Sequence, residues 1–274
     1  MASGTPTALT IAGSDSGGGA GIQADLKAFA SCGVHGTSAI TVITAQNTRE
    51  VTAVATVEPE MVLAQVRAVV QDIGVDAVKV GMLGTLETAK AVEAALAELP
   101  AGTPVVVDPV MVAESGARLI EPDAERWLAE RILPRASVVT PNLQEARVLA
   151  GTPPREHELP GEAEQLARSV LALGPGAVIL TGGHRAAATD LLLDDPQAEV
   201  LEIEGERHRG GASHGSGCTH SAILAAQLAL GRELATAARI ARDRAGAAVA
   251  GGLRDLGAGA GPVDVIGLAR LREG

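Results

Sequence analysis

Short apolar runs alternate along this chain with longer segments of helical periodicity. Ala8–Ala12, Ala77–Val80 and Ala177–Leu180 have the length and composition of buried strands. Ala20–Cys32 and Leu86–Leu99 carry apolar residues at helical spacing, and Thr85 is placed to cap the second of these helices. The alternation predicts βαβ units, and therefore an α/β fold with a mostly parallel sheet.

The rest of the chain continues this pattern. The further strands are predicted at Ser38–Thr44, Val51–Val57, Pro104–Val107 and Ser137–Val139, and in a hairpin of Leu191–Leu193 with Val200–Ile203. The further helices are predicted at Glu60–Asp72, Ala124–Leu133, Leu143–Ala150, Glu162–Leu173, Gly217–Leu230 and Leu234–Gly251. No linker-like segment divides the 274 residues, so we expect one domain over 1–274.

Polar or glycine-rich segments follow many of the predicted strands. These segments are Gly13–Asp15, Gln46–Thr48, Gly81–Met82, Asp108, Asn142 and Thr181–Gly183. Parallel sheets bind ligands outside the carboxyl ends of their strands. We therefore expect these segments to share one cleft.

Composition and charge exclude several classes of protein. The hydrophobic fraction of 46% supports a large core, although the chain has one Trp, one Phe and no Tyr. A net charge of −11 argues against nucleic-acid binding, yet backbone N–H groups can still bind phosphate. Cys32 and Cys218 form neither a disulfide framework nor a metal motif. With no long apolar run, we expect no membrane association and a cytoplasmic location.

Two glycine-rich segments are candidate ligand loops. Gly13–Gly21 follows a predicted strand but lacks the Lys-Ser/Thr of a Walker A loop, and a flexible turn is an equally good interpretation. Gly215–Cys218 opens a helix, where backbone amides and the helix dipole favour an anion. We expect a lowered pKa for Cys218 at such a position. The alternative is a tight loop followed by a small buried residue.

A set of acids and amides suggests a metal and a heterocyclic substrate. Asp108 follows a strand, and Asn142 and Glu145 lie on one face of a short helix, so their oxygens suit Mg²⁺. The same Asn142 and Glu145 could form a capping box, and both interpretations can hold. The donor and acceptor of Gln46 can match an aminopyrimidine edge, but a polar turn explains it as well. His214 and His220 lack metal-site spacing, and no role is assigned to them.

Several of these motifs, in order, resemble the hydroxymethylpyrimidine/phosphomethylpyrimidine kinases of thiamine biosynthesis. The resemblance is carried by Thr10–Lys27, Thr44–Thr48, Val78–Gly84, Val107–Met111, Thr140–Glu145, Gly182–His184 and His214–Thr219. It extends from about Leu9 to Pro262, nearly the whole chain. It implies a ribokinase-like three-layer α/β/α sandwich. It also implies two ATP-dependent steps, from the aminopyrimidine alcohol to its monophosphate and then to its diphosphate.

The resemblance also assigns expected roles to individual residues. The pyrimidine pocket is matched by Gly13, Asp25, Gln46 and Met82, and the Mg²⁺ side by Asp108 and Glu145. The nucleotide side is matched by Asn142, Thr181 and Gly183, and the catalytic anion hole by Gly215, Ser216, Gly217 and Cys218. The Cys218 thiolate is the expected base for the alcohol.

One departure from the family pattern and several alternatives remain. Many relatives carry a lysine where this chain has Thr181, which weakens the nucleotide-side assignment. The nearest alternative is a pyridoxal or pyridoxine kinase of the same fold, and another is an inactive pyrimidine-binding sensor. A sugar kinase fits less well, because Cys218 stands where such kinases have an Asp. We further expect a homodimer.

Overall fold

The computed structural model describes residues 4–112, 118–155, 157–185, 188–208 and 212–271, and its centre is one nine-stranded sheet. The strands are β1 Thr7–Asp15, β2 His35–Gln46, β3 Val51–Thr56, β4 Ala77–Val80, β5 Val105–Val107, β6 Val138–Val139, β7 Val178–Leu180, β8 Asp190–Leu193 and β9 Leu201–Ile203. Their order across the sheet is β3-β2-β1-β4-β5-β6-β7-β8-β9.

The strands from β2 through β7 in this order pair in parallel, as the alternation of strands and helices predicts. β3 pairs antiparallel with β2 at one edge, and β8 and β9 add an antiparallel hairpin at the other. The predicted hairpin is therefore confirmed. Because β1, β4, β5, β6 and β7 run the same way, the segments that follow them meet at one edge of the sheet.

Helices cover both faces of this sheet. They are α1 Gly21–Ser31, α2 Pro59–Asp72, α3 Leu86–Ala97, α4 Pro122–Trp127, α5 Leu143–Leu149, α6 Glu162–Leu171, α7 Ser216–Ala229, α8 Leu234–Ala250 and α9 Leu268–Leu271. One buried cluster joins α2 to α6 to the sheet, and a second joins α1, α7 and α8 to its other face. The expected three-layer α/β/α architecture is confirmed.

The predicted helix over Ala124–Leu133 is only partly α-helical. α4 ends at Trp127, and Leu128–Ile132 form a π-helical turn followed by a short 3₁₀ turn at Leu133–Arg135. Pro134 has no N–H to donate, so a regular hydrogen-bond ladder cannot run through this segment. Elsewhere the agreement is closer: β4 has the predicted bounds, and Thr85 accepts a hydrogen bond from Thr88 N at 3.3 Å as the cap of α3.

None of the helices within the described ranges is long and apolar enough to cross a membrane.

Candidate active site

A cavity of about 610 Å³ opens at the carboxyl ends of the central strands. It brings together most of the residues that the sequence assigns to a site. Those that line it are Gly13, Gln46, Met82, Asp108, Asn142, Glu145, Thr181, Gly183, Ser216, Gly217 and Cys218. The expected single cleft is therefore present, with the pyrimidine-side and nucleotide-side candidates on its walls.

Asp25 does not line this cavity, contrary to the expectation from the family pattern. Its side chain is fully buried and accepts a hydrogen bond from Thr10 Oγ1 at 2.6 Å. Both carboxylate oxygens also accept from Lys79 Nζ at 3.0 Å. Asp25 is a buried residue of α1 and forms an ion pair with Lys79 of β4.

Lys79 is the cation that the sequence-based assignment missed. It lies within β4, is fully buried, and lines the cavity with its Nζ 3.9 Å from Asp108 Oδ2. Burial by itself lowers the pKa of Lys79, but the neighbouring acids, Asp25 first, raise it overall. The ammonium therefore stays charged. A lysine in the middle of an apolar strand, in a chain with three lysines, is a signal that could have revealed it.

Gly215 also lies outside the cavity lining, and it acts through its backbone. It is the N-cap of α7 with φ of 80°, a left-handed conformation that favours glycine. A Cβ at this position would lie 1.7 Å from the carbonyl oxygen of Gly19. The loop before α7 and the loop before α1 are thus stacked so closely that no side chain fits between them.

The environment of Cys218 overturns the expectation of a lowered thiol pKa. Cys218 is in the first turn of α7 and lines the cavity. Burial raises its pKa to about 12, although the charge of Lys79 and the amide of Gly21 act in the opposite direction. The desolvation of a thiolate outweighs the effect of the helix N-terminus here. In the free protein Cys218 is a thiol at neutral pH.

The start of α5 shows that the capping-box interpretation is correct. Asn142 Oδ1 accepts hydrogen bonds from Gln144 N at 2.9 Å and Glu145 N at 3.0 Å, and Glu145 Oε2 accepts from Asn142 N at 2.9 Å. Burial, and then repulsion from Asp108, raise the pKa of Glu145 to about 8. Asp108 and Glu145 therefore both line the cavity and repel each other there.

Asp15 and His214 form a second pair that the sequence-based assignment missed. Asp15 Oδ2 accepts from Gly19 N at 3.0 Å and Ala20 N at 2.9 Å, and it lies 3.0 Å from His214 Nε2. Asp15 Oδ1 accepts from Gly17 N at 2.7 Å. Burial raises the pKa of Asp15, but these hydrogen bonds, that of His214 first, lower it overall. The pair ties the loop before α1 to the loop before α7.

A polar cluster orders the loop that follows β7. Asp190 Oδ1 accepts from Gly182 N at 2.7 Å, and Asp190 Oδ2 lies 3.0 Å from His220 Nε2. Arg242 Nε lies 3.6 Å from Asp190 Oδ1, and all three side chains line the cavity. Thr181 lines it as well, with Oγ1 3.4 Å from the carbonyl oxygen of Pro141. His220 and Arg242 carried no recognisable motif, because α7 and α8 bring them together only in the fold.

Comparison with known proteins now decides the family. The model of the family described as phosphomethylpyrimidine kinase matches residues 15–264. The chain belongs to the phosphomethylpyrimidine kinase family. The expectation drawn from the sequence motifs is thus confirmed, and the chain is a phosphotransferase.

Individual known proteins are similar to this chain over most of their length. A hydroxymethylpyrimidine/phosphomethylpyrimidine kinase of Rhizobium meliloti is 46% identical, over 94% of this chain and 96% of that protein. Among solved structures, the phosphomethylpyrimidine kinase of Clostridium difficile has a TM-score of 0.74 and 36% identity, over 86% of this chain and 96% of the other. The ADP complex of a Bacillus subtilis pyridoxal kinase has a TM-score of 0.84 and 37% identity, over 97% of this chain and 99% of the other.

A magnesium ion fits the acidic side of this kinase cavity. Asp108 is 5% exposed and accepts from Ser221 Oγ at 2.9 Å, and its repulsion raises the pKa of Glu145. A divalent cation would relieve this repulsion with the hard oxygen donors that Mg²⁺ prefers. Within the described ranges no three His, Cys, Asp or Glu side chains form a closed metal cage. An open site suits Mg²⁺, which usually keeps several waters and binds substrate phosphates.

Proposed function

We propose that this kinase transfers the γ-phosphoryl group of ATP to the hydroxymethyl group of an aminopyrimidine alcohol, and then adds a second phosphoryl group to the monophosphate. One observation carries the proposal: a single cavity is lined by Gln46 and Met82, by Asp108 and Glu145, and by the start of α7. The names of relatives such as the Rhizobium meliloti protein support the same substrate.

The test is a substrate panel with purified protein and Mg-ATP. The panel contains the aminopyrimidine alcohol, its monophosphate, pyridoxal and a sugar, and mass spectrometry detects the products. We expect mono- and diphosphates of the pyrimidine. Pyridoxal is included because pyridoxal kinases such as the Bacillus subtilis enzyme share the fold. Faster turnover of pyridoxal than of the pyrimidine would reverse the assignment, and absence of ATP consumption would indicate a binding protein.

We propose that Gln46 reads the pyrimidine edge. Gln46 lines the cavity, its Oε1 accepts from Thr44 Oγ1 at 3.2 Å, and its backbone is held by Ser16 Oγ at 2.7 and 2.8 Å. The side chain is therefore oriented while its amide can still bond a ligand. Gly13 and Met82 line the same cavity, and Met82 Sδ lies only 3.1 Å from where a Cβ of residue 13 would be. Glycine at 13 leaves this wall of the pocket open.

Gln46→Leu tests this assignment, because leucine keeps the size and removes both hydrogen-bonding groups. Unpaired polar partners in the complex cost on the order of 1–3 kcal/mol. We expect calorimetry to show weaker binding of the aminopyrimidine and unchanged binding of the nucleotide. Wild-type affinity for the pyrimidine would contradict the role of Gln46.

We propose that Asp108 and Glu145 hold Mg²⁺ together with the nucleotide phosphates, with Asn142, Thr181 and Gly183 on the nucleotide side. Bound Mg²⁺ neutralises phosphate charge during phosphoryl transfer. Asp108 is positioned for this by Ser221, and Glu145 by the amide of Asn142. Asp190 fixes the amide of Gly182, which sets the course of the loop that carries Gly183.

We propose that the loop of Gly215, Ser216, Gly217 and Cys218 binds the phosphoryl group while it passes from ATP to the oxygen of the substrate. No side chain caps α7, so the amides and dipole of its first turn are directed to an anion in the cavity. Cys218 is our candidate for the group that accepts the proton of the alcohol. Its thiolate must form in the substrate complex, and Lys79 is the charge that lowers its pKa. The second step has an ionised phosphate oxygen as nucleophile and needs little base assistance.

We also propose a homodimer that pairs through the β3 edge. β3 carries no charged side chain, its residues from Thr52 to Thr56 are exposed, and Val54 is 56% exposed. Exposed edge strands without charges or proline are usually covered. Sedimentation of wild type and Val54→Lys tests this: we expect a dimer that the lysine weakens, and a wild-type monomer would contradict it.

The proposed unit is one kinase domain over 1–274 that acts in the cytoplasm.

A further inference from the structure

The glycine-rich segment near the C-terminus packs against the turn that follows Gln46. Residues 257–263, here called the C-terminal strap, run past the β2–β3 turn, residues 47–50. Gly259 N donates to Thr48 Oγ1 at 3.2 Å. A Cβ on Gly259 would lie 1.8 Å from the carbonyl oxygen of Thr48, and a Cβ on Gly257 would lie 2.2 Å from Thr48 Oγ1. Glycine is therefore required at both positions for this contact.

The other end of the strap is fixed to the loop before α7. His214 N donates to Gly261 O at 3.2 Å, and Val263 N donates to His214 O at 3.1 Å. His214 in turn lies 3.0 Å from Asp15 Oδ2. The strap thus connects the β2–β3 turn to the rigid part of the active site, and its position is set by backbone hydrogen bonds at His214.

The β2–β3 turn is closed by its own hydrogen bonds, since Asn47 N donates to Glu50 O at 3.1 Å and Asn47 Oδ1 accepts from the amides of Arg49 and Glu50, but these bonds do not fix the turn to the rest of the molecule. β1 pairs with β2 only as far as Thr44, so Gln46 pairs with Val51 of the exposed edge strand alone. Ser16 holds the backbone of Gln46 on one side. The strap lies on the other side, and a second cavity of about 320 Å³ separates parts of the two segments. Without the strap, the turn would project beyond the edge of the sheet.

We propose that the C-terminal strap is a positioning element of the active site, which sets the place of the Gln46 amide by holding Thr48. The proposal rests on the proposed function of Gln46 as the reader of the pyrimidine. Small displacements of a positioning group cost much in binding and catalysis, because hydrogen bonds and reacting geometry tolerate little error. Gly257 and Gly259 make the Thr48 contact at the end of the strap away from His214, so we expect substitutions at these two glycines to act on the pyrimidine rather than on the nucleotide.

The two glycines allow a paired experiment. In Gly259→Ala the new methyl group meets the backbone of Thr48, which no side-chain change can remove. In Gly257→Ala it meets the Thr48 side chain, so Thr48→Gly relieves the clash, although the strain of alanine at the left-handed φ of 78° remains. Gly251→Ala is the matched control, because a Cβ there makes an ordinary contact of 3.5 Å with Ala247 O. Gly231→Ala controls for positive φ, since Gly231 has φ of 73° and open space around it.

Calorimetry with the aminopyrimidine alcohol, and separately with a non-hydrolysable ATP analogue, measures the effect. We expect Gly259→Ala to weaken pyrimidine binding roughly 10–100-fold, with the nucleotide affinity within about twofold of wild type. Gly257→Ala should also weaken pyrimidine binding, and adding Thr48→Gly should restore it to the level of Thr48→Gly alone. Thr48→Gly should not rescue Gly259→Ala. Both control variants should bind as wild type.

Two results would overturn the strap proposal: wild-type pyrimidine affinity in folded Gly259→Ala, or an equal loss for both ligands. If Gly259→Ala does not fold, Gly257→Ala with and without Thr48→Gly tests the proposal instead. If Gly257→Ala weakens pyrimidine binding and adding Thr48→Gly does not restore it, the proposal is contradicted. Gln46→Leu separates this outcome from the proposed function. Weak pyrimidine binding in Gln46→Leu with normal binding in the strap variants rejects the strap alone, whereas normal binding in Gln46→Leu rejects the assignment of Gln46.

Discussion

Two helices begin at the cavity, and they differ in whether side chains cap the N–H groups of the first turn. α5 begins with a complete capping box, in which Asn142 accepts from the amides of Gln144 and Glu145 and Glu145 accepts from the amide of Asn142. α7 begins at Gly215 with no side-chain cap. Both starts border the same cavity, since Asn142, Glu145 and Cys218 line it.

The difference between the two helix starts places acidic side chains at α5 and the positive end of a helix dipole at α7. At α5 the amides are used by the protein, and what faces the cavity is acidic, Glu145 together with Asp108. At α7 Ser216 N donates to Ser213 O at 3.0 Å, and no side chain caps the helix start, where the charge of Lys79 acts on Cys218. A capped helix start can thus carry a cation site, while an uncapped one receives an anion. This division of roles can be tested from either side.

The largest effect is expected at the uncapped helix. Cys218→Ser preserves the backbone of α7 and replaces the thiol with a hydroxyl, which is a poor base. We expect the first phosphorylation to slow by about 10²–10⁴-fold, the usual contribution of a general base. The second phosphorylation should slow much less, and nucleotide affinity should stay near wild type. Single-turnover assays started from the alcohol and from the monophosphate measure the two steps; an equal factor for both would leave Cys218 a positional role only.

The next effect belongs to the acidic side. Asp108→Asn removes a negative charge from the proposed cation site while the amide can still accept from Ser221. We expect activity to fall about 10–100-fold at low Mg²⁺ and to recover partly at high Mg²⁺. Initial rates over a Mg²⁺ titration give the measurement. A loss of the same size at every Mg²⁺ concentration would show that Asp108 supports the structure rather than the metal.

A smaller effect should appear in the stability of the free protein. Because the pKa of Glu145 is raised to about 8, the folded state keeps a proton that the unfolded state loses near pH 4.5. Stability therefore falls as pH rises between these values, and ionised Glu145 destabilises the fold above them. Glu145→Gln removes this dependence, and we expect it to stabilise the protein at pH 8.5 by on the order of 1–3 kcal/mol relative to its effect at pH 4.5.

Urea unfolding without divalent cations measures the Glu145→Gln effect. Asn142→Ala is the informative companion, since it removes the N-cap and should cost about 1 kcal/mol at both pH values. An identical pH dependence for wild type and Glu145→Gln would contradict a raised pKa at this position.

The smallest effect concerns Thr181, the position at which this sequence departs from the expected family pattern. Thr181 lines the cavity on the nucleotide side. Thr181→Lys adds a positive charge, and because that charge is partly solvated we expect the KM for ATP to fall only about two- to fivefold. The KM for the pyrimidine should not change. A raised KM for ATP would mean that Arg242 and Lys79 already supply the charge that the nucleotide side accepts.

Much of the fold could be predicted from local patterns. The apolar run Ala77–Val80 and the cap at Thr85 appear where the sequence places them, because chain-local spacing and capping determine them. Much of the cavity lining was also predictable, because the carboxyl ends of the strands in a parallel sheet meet at one edge. The break after Trp127 was not expected, although Pro134 signals it in the sequence.

Contacts between distant segments were not predictable in this way. Asp25 belongs to a motif shared with its family, yet only the packing of α1 on β4 shows that it binds Lys79, 54 residues away. The pairs Asp15–His214 and Asp190–His220 depend equally on the docking of α7. Hydrophobic periodicity carries no information about which buried polar groups meet, because it reports which face is buried and not what lies opposite.

The sequence by itself determined the order of strands and helices, the family and the set of segments at the cavity, because these follow from local spacing and from motifs in register. Only the tertiary structure decided which of those residues line the cavity, what charge surrounds Cys218, and that glycines near the C-terminus contact the turn beside Gln46. The physical reason is that pKa values and steric fit depend on burial and on neighbours brought together by folding, and a thiol at a helix start is acidic only where water or positive charge outweighs its desolvation.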